Sequence, residues 1–425
     1  MKEEIKRTII KYKENLPKTI YERELEIMKM KFDKAVVIIG PRRAGKSYYL
    51  YKLAKEKEDS IIINFEDALI NNIKKDNLSE ITECSKELFG PKNFIFYFDE
   101  IQNVLGWENF IVSLLNEHNG VFITGSNSRF LSKEIATALR GKAIGYLMLP
   151  FSFNEYLKVK KVQIEKNLEY KDKIFEIKKH FNCFMKEGGF PEIVLSDSLE
   201  LKNKIINNYR DSVLYKDLVD RLNLKNIDLV EVTMSYIMNL FGNIFSISKF
   251  EEHLKSNKIK YSLEDIYRII RAFEDVFLVG YVKQYFKSHK KREISKSKVY
   301  LFDTAYITFL SKESEDYGRI FENVVFVELF RRQKDIENKN IFYYRSDADK
   351  ECDFIVKNRE TIEAIQVCYS LNEKNRAREI GGLLSALEKF DIKEGTIITL
   401  DQQEEIKINN KTLKVIPAWK WMLGV

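Results

Sequence analysis

A chain of 425 residues has room for about three domains, and its hydrophobic content of 44% is ordinary for a globular protein. The net charge is +7, from 71 basic and 64 acidic side chains, so an anionic partner would need charge concentrated in one place. No apolar run approaches the ~20 residues of a membrane span, the charged start MKEEIKRTII lacks a signal peptide's apolar core, and Cys84, Cys183, Cys352 and Cys368 form no CxxC pair, which points to a reduced, cytoplasmic protein.

Residues 1–30 read as a lead-in, and residues 31–158 as a first domain built on a phosphate loop. Ala35 to Ile39 is a short apolar run, the pattern of a strand buried on both faces. It runs into Gly40-Pro41-Arg42-Arg43-Ala44-Gly45-Lys46-Ser47, and Tyr48 follows in a helical stretch. Glycines let the backbone wrap phosphate oxygens, and the loop N–H groups and the helix N-terminus supply positive potential. Lys46 is placed to reach the β- and γ-phosphates, and Ser47 to ligate Mg²⁺.

A second apolar strand, Phe94 to Phe98, ends in Asp99 and Glu100. Asp99 is the expected Mg²⁺ carboxylate and Glu100 the residue that polarises the attacking water. Further strands are expected at Ile61 to Asn64 and at Val121 to Thr124. Asn127, just past the latter, either touches the γ-phosphate as a sensor or caps a turn. Alternating strands and helices imply a parallel sheet with its ligand at the C-terminal strand ends.

The stretches GPRRAGKSYYL, INFED, FDEIQNV, TGSNSRFLS, LRGK and LPFSFNEYL together resemble the AAA-type ATPases of archaea and bacteria that carry a C-terminal nuclease-like domain. The resemblance implies ATP as the nucleotide. It also makes Arg140 the candidate arginine finger, since the family often has Gly-Arg where this chain has Gly141-Lys142. A finger acting in trans would require an oligomer.

Residues 159–225 are polar and helical in pattern, broken at EGGFP, and read as a lid or connector. Residues 226–312 give three helices and a two-strand ribbon, the order of a winged helix. Ser262 and Asp265 open the third helix with a capping box. The ribbon segment 282–298 holds seven Lys/Arg and one Glu. Lys287, Lys290, Lys291 and Arg292 are the candidate DNA contacts. An exposed hairpin kept soluble by lysines reads equally from the same residues.

Residues 313–425 run helix, three strands, helix, strand, and resemble the PD-(D/E)XK nuclease core. A working member of that superfamily holds Mg²⁺ on a helix Glu, a strand Asp and a Glu-x-Lys, whose Lys positions water. Glu322 and Asp353 match the first two positions, but Gln366 and Cys368 stand where the Glu and Lys belong. A neutral amide and a thiol suit a hard cation poorly, so the resemblance implies a vestigial, inactive site. Glu351 shares a strand face with Asp353. The fold class expected is therefore α/β: a P-loop domain, a helical connector, a winged helix and a restriction-endonuclease-like domain. The function expected is a Mg²⁺-dependent ATPase whose C-terminal half engages either double-stranded DNA or a protein partner.

Overall fold

The computed structural model describes residues 1–27, 33–126, 139, 141–164, 171–220, 224–310, 316–333, 340–358 and 361–425. They group into two compact units, residues 1–150 with 275–277, and residues 151–274 with 278–425.

In the first unit, β1 (Ala35–Ile39), β2 (Ser60–Asn64), β3 (Ile95–Asp99), β4 (Gly120–Gly125) and β5 (Ala143–Leu147) form one sheet in the order β2-β3-β4-β1-β5. Every pairing is parallel. β1 is buried along its whole length, as a strand covered on both faces must be. β4 lies between β1 and β3, so the tips of the phosphate-loop strand and the acidic strand stand on either side of Gly125.

The expected lead-in is folded into this unit. A helix, Lys2–Glu14, has Glu3 and Glu4 in its first turn and Lys11 and Lys13 in its last, matching the helix dipole. It buries Ile5 and Ile9, and Lys11 pairs with the buried Asp67.

The second unit contains one nine-stranded sheet. Its strands are β6 (Ile244–Phe245), β7 (Val279–Gln284), β8 (Ser297–Leu301), β9 (Ile341–Arg345), β10 (Glu351–Lys357), β11 (Ile362–Val367), β12 (Glu394–Thr399), β13 (Glu404–Ile408) and β14 (Lys411–Pro417). They lie in the order β13-β14-β12-β11-β10-β9-β7-β8-β6. The helices Ile227–Asn239, Ile247–Ser256 and Leu263–Asp275 precede the β7/β8 ribbon. Ser262 caps the third of them, accepting from the Asp265 N–H at 3.0 Å.

That ribbon does not stand apart from the last segment. β7 pairs in parallel with β9 at Lys283↔Phe342 and Gln284↔Tyr343, so one sheet runs through both regions. Its tip is also not simply a hairpin loop: residues 289–294 form a short helix capped by the Ser288 hydroxyl. A further hairpin, β13–β14, follows the last strand read from the sequence and turns on Asn409 and Asn410, both left-handed. Asparagine tolerates that conformation better than most residues.

The EGGFP break has a packing cause. A side chain at Gly188 would fall 1.7 Å from Asp303 Oδ1, and the Gly189 N–H donates to Asp303 Oδ2 at 2.8 Å. Upstream, Ser152 and Glu155 of LPFSFNEYL form a reciprocal capping box that starts the helix Phe153–Val159.

Candidate active site

The phosphate loop is set by backbone constraints. Gly45 has φ 95° at the cap of the helix Lys46–Lys55, which places that helix's free N–H groups at the loop. Gly40 has φ 155°, and an added Cβ would sit 1.9 Å from the Met148 carbonyl oxygen. Arg43 is also left-handed, at φ 67°. Lys46 is buried, and its Nζ donates to the carbonyls of Gly40 at 3.0 Å and Pro41 at 2.7 Å. Arg42 pairs with Glu66 at 3.3 Å, and Tyr48 is exposed on the outer side of the helix. Arg23 braces the loop from outside its motif by donating to the Ala44 carbonyl at 2.7 Å.

Three adjacent strands end in one polar row. Asn64 is in register with Asp99, and Asp99 with Thr124. Asn64 Nδ2 donates to Asp99 Oδ2 at 3.1 Å, Thr124 donates to Asp99 Oδ1, and Ser47 hydrogen-bonds the same carboxylate. Burial pushes the Asp99 carboxyl up, and those hydrogen bonds with Lys46 pull against it. The carboxylate and the Ser47 hydroxyl are hard oxygen donors held together, a set that suits Mg²⁺.

Glu100 is left-handed, at φ 56°, which turns it off the strand axis. It is buried, accepts from Gln102, and has the Ser126 hydroxyl at 3.4 Å. Burial raises its carboxyl to about 7, with Lys46 opposing and Asp99 reinforcing the shift. A base needs a pKa near the working pH, and this residue has one. Asn64, Thr124, Gln102 and Ser126 were not singled out in the sequence, although Asn64, Thr124 and Ser126 stand at or next to strand tips and Gln102 lies in the short turn that follows Glu100. Asn127 and Arg140 lie outside the described residues.

In the second unit Glu322 and Asp353 come together around a cation that the sequence did not assign. Lys298, on β8, is buried, and its Nζ lies 3.1 Å from Glu322, 3.1 Å from Asp353 and 2.7 Å from Glu351. Burial alone would lower the lysine's pKa, but Glu322, Tyr300, Asp353 and Glu351 hold it charged, well above its usual range. Tyr300 donates to Glu322 at 2.5 Å. Asn323, fully buried, exchanges hydrogen bonds with both the N–H and the carbonyl of Leu301 at 2.8 Å, which fastens β8 to the helix of Glu322.

The β10/β11 pairing runs to Phe354↔Ile365, and beyond it the Val367 N–H donates to Asp353 Oδ2 at 2.9 Å. Gln366 donates to Glu379 at 2.7 Å. Cys368 is buried just past the strand end, its thiol pushed up to about 11 by burial, and it donates to the Ser370 carbonyl at 3.2 Å. β11 brings the neutral amide of Gln366 to this cluster rather than a further carboxylate, and an amide is a weaker partner for a hard divalent ion. Among the described residues no group of three or more His, Cys, Asp or Glu is disposed to hold a metal ion.

Of the candidate DNA contacts, Lys287, Lys290 and Lys291 are exposed. Arg292 turns inward instead, donating to the Phe286 carbonyl at 3.2 Å and lying over the Phe342 ring. Lys283 and Lys298 of the same basic segment are paired with carboxylates, so its free positive charge is smaller than its composition suggests.

Residues 32–157 match the model of the AAA domain family. Residues 178–317 and 317–421 match two domains of unknown function, DUF8612 and DUF4143. An uncharacterized protein of Methanocaldococcus jannaschii is 39% identical over 95% of this chain and 91% of its own length. This chain belongs to the same family as that archaeal protein. An uncharacterized Haemophilus influenzae protein is 27% identical over 91% of this chain and 94% of its own. Among solved structures, C. elegans PCH-2 is similar at 12% identity and a TM-score of 0.27, covering 45% of this chain and 58% of that one. The first unit of this family member is a P-loop, AAA-type nucleotide-binding domain with a parallel sheet. No described helix is long and apolar enough to cross a membrane.

Proposed function

We propose that this AAA-domain protein is a Mg²⁺-dependent ATPase whose hydrolysis acts on a winged-helix and nuclease-like C-terminal half. The supporting observation is Glu100: a buried carboxyl of pKa about 7, one residue past Asp99 and facing the phosphate-loop lysine's field. The loop N–H groups and Lys46 bind the phosphates. Ser47 and Asp99 would hold Mg²⁺, which when bound supplies charge neutralisation for the transferring phosphoryl group. Asn64 and Thr124 fix the Asp99 carboxylate, while Gln102 and Ser126 fix Glu100. Glu100 orients water and accepts its proton. Arg140, if supplied from a neighbouring copy, completes the charge stabilisation.

The C-terminal half is read as a connector over 159–225, a winged helix over 226–312 and a nuclease-like core over 313–425. Its carboxylates share Lys298, and Gln366 bonds Glu379 where a further metal-binding carboxylate would be needed, which supports a role in holding rather than cutting. DNA is the partner favoured by the exposed lysines of 287–291, with a protein partner as the alternative. The test is ATP turnover of wild type and Lys46→Ala, with and without duplex DNA. Lys46→Ala should reduce turnover on the order of 100-fold or more, and turnover independent of Lys46 would refute the assignment. Stimulation by duplex DNA identifies the partner, and its absence together with no binding at low salt selects a protein.

A further inference from the structure

The second unit carries a cleft of about 740 Å³ lined from β6, the helix Ile247–Ser256, β7, β9 and the segment before β8. That is the size range of ligand clefts, ~300–1,000 Å³. Its cations are Lys249, Lys291, Lys296 and Arg345, and its lining includes no carboxylate. Arg345 Nε pairs with the exposed Asp349 at 2.5 Å, which leaves the rest of its guanidinium for a ligand. Phe286 and Ile294 line it as well, the latter 78% exposed despite its apolar side chain.

The walls are built rather than adventitious. Tyr343 Oη donates to the Lys296 carbonyl at 3.2 Å, and Gln284 Nε2 to the Arg345 carbonyl at 3.3 Å. The Ser288 hydroxyl accepts from the Lys291 N–H at 3.4 Å, which orders the helical tip. Glu322, Glu351 and Asp353 gather around Lys298, and none of them lines the cleft.

Spaced cations beside flat and aliphatic side chains suit a ligand with repeated phosphates and free base faces. A single nucleic-acid strand has both, whereas a duplex keeps its base faces stacked inside. An acidic peptide offers the charges without the stacking faces.

We infer that this cleft binds single-stranded nucleic acid, with backbone phosphates on Lys249, Lys291, Lys296 and Arg345 and bases against Phe286 and Ile294. The inference rests on the reading that the C-terminal half engages nucleic acid, and differs from it in strand type and in extent: Lys291 is shared with the candidate DNA contacts, while Lys249 and Arg345 lie outside the basic segment 282–298.

The experiment is fluorescence anisotropy of full-length protein with a short labelled oligodeoxythymidylate across a salt series. The combined variant Lys249→Gln, Lys296→Gln, Arg345→Gln should bind at least about tenfold more weakly, with a salt slope shallower by about 2. Phe286→Ala should weaken binding with the slope unchanged. All three cations are exposed, so thermal unfolding of the combined variant should match wild type. Lys46-dependent ATP turnover, measured on the same samples, should be intact in the variant. It separates failure of the cleft from failure of the ATPase reading. Equal binding by variant and wild type, no wild-type binding at low salt, equal affinity for a duplex, or equal competition by polyglutamate would each overturn the inference.

Discussion

Lys298 Nζ lies 3.1 Å from Asp353 Oδ1, although 55 positions separate the two residues in the chain. Both are buried, and the same ammonium also reaches Glu322 and Glu351. Removing one partner of a buried pair leaves an uncompensated charge and costs about 3–5 kcal/mol. Lys298→Met should therefore lower the melting temperature markedly. Adding Asp353→Asn to that variant should recover part of the loss, because one stranded carboxylate is removed. A double variant no more stable than Lys298→Met would show that the ammonium is not balancing Asp353.

The same cluster bears on cleavage. With the ammonium among the carboxylates and Gln366 bonded to Glu379, supercoiled plasmid should stay intact with wild-type protein and Mg²⁺ or Mn²⁺. Nicking that disappears in Asp353→Ala, seen on an agarose gel, would contradict the vestigial reading.

Glu100 should control the acid limb of turnover. Its carboxyl titrates at about 7, and only the ionised form accepts a proton from water. Turnover should fall as the pH drops below about 7. Glu100→Gln should lose on the order of 10²–10⁴ in rate while still binding nucleotide, as read by a fluorescent ATP analogue.

Asp303 gives a stability signature of the opposite kind from a salt-bridged carboxylate. Burial raises its carboxyl to about 7, against the hydrogen bonds from Ala305, Gly189 and Phe190 that favour the ionised form. The folded state thus holds a proton that the unfolded chain has released. The contribution is fully present below the ordinary Asp range near 3.8 and is lost as the pH rises towards about 7. Wild type should lose a few kcal/mol over that window from this group, and Asp303→Asn should flatten the slope in urea titrations at several pH values.

Gly40→Ala tests the loop geometry apart from chemistry. The added methyl meets the Met148 carbonyl at 1.9 Å, and overpacking of this kind costs about 1–3 kcal/mol. Thermal unfolding unchanged by the substitution would mean that the loop is not clamped against that carbonyl.

The nucleotide site was legible because its parts are local. Gly40 to Ser47 are contiguous, and Asp99 with Glu100 ends an apolar strand, so spacing and strand burial suffice to place them. The residues that hold them were not: Asn64 and Thr124 meet Asp99 only because the strand order sets three C-terminal tips side by side. The β13–β14 hairpin was legible but unread: its strands alternate charged with apolar residues around two asparagines, the pattern of a half-exposed hairpin.

By itself the sequence determined the phosphate loop and its acidic strand, since each is a statement about neighbouring residues. Tertiary structure alone decided the partners of Lys298. Lys298 reads as one more cation in a basic ribbon, and nothing in its neighbours sets it apart from Lys296. Lys296 precedes β8 and is exposed, whereas Lys298 lies within it and is buried. Packing makes that difference: Asn323 clamps Leu301, β8 follows, and burial then makes pairing with Glu322, Glu351 and Asp353 obligatory for the charge.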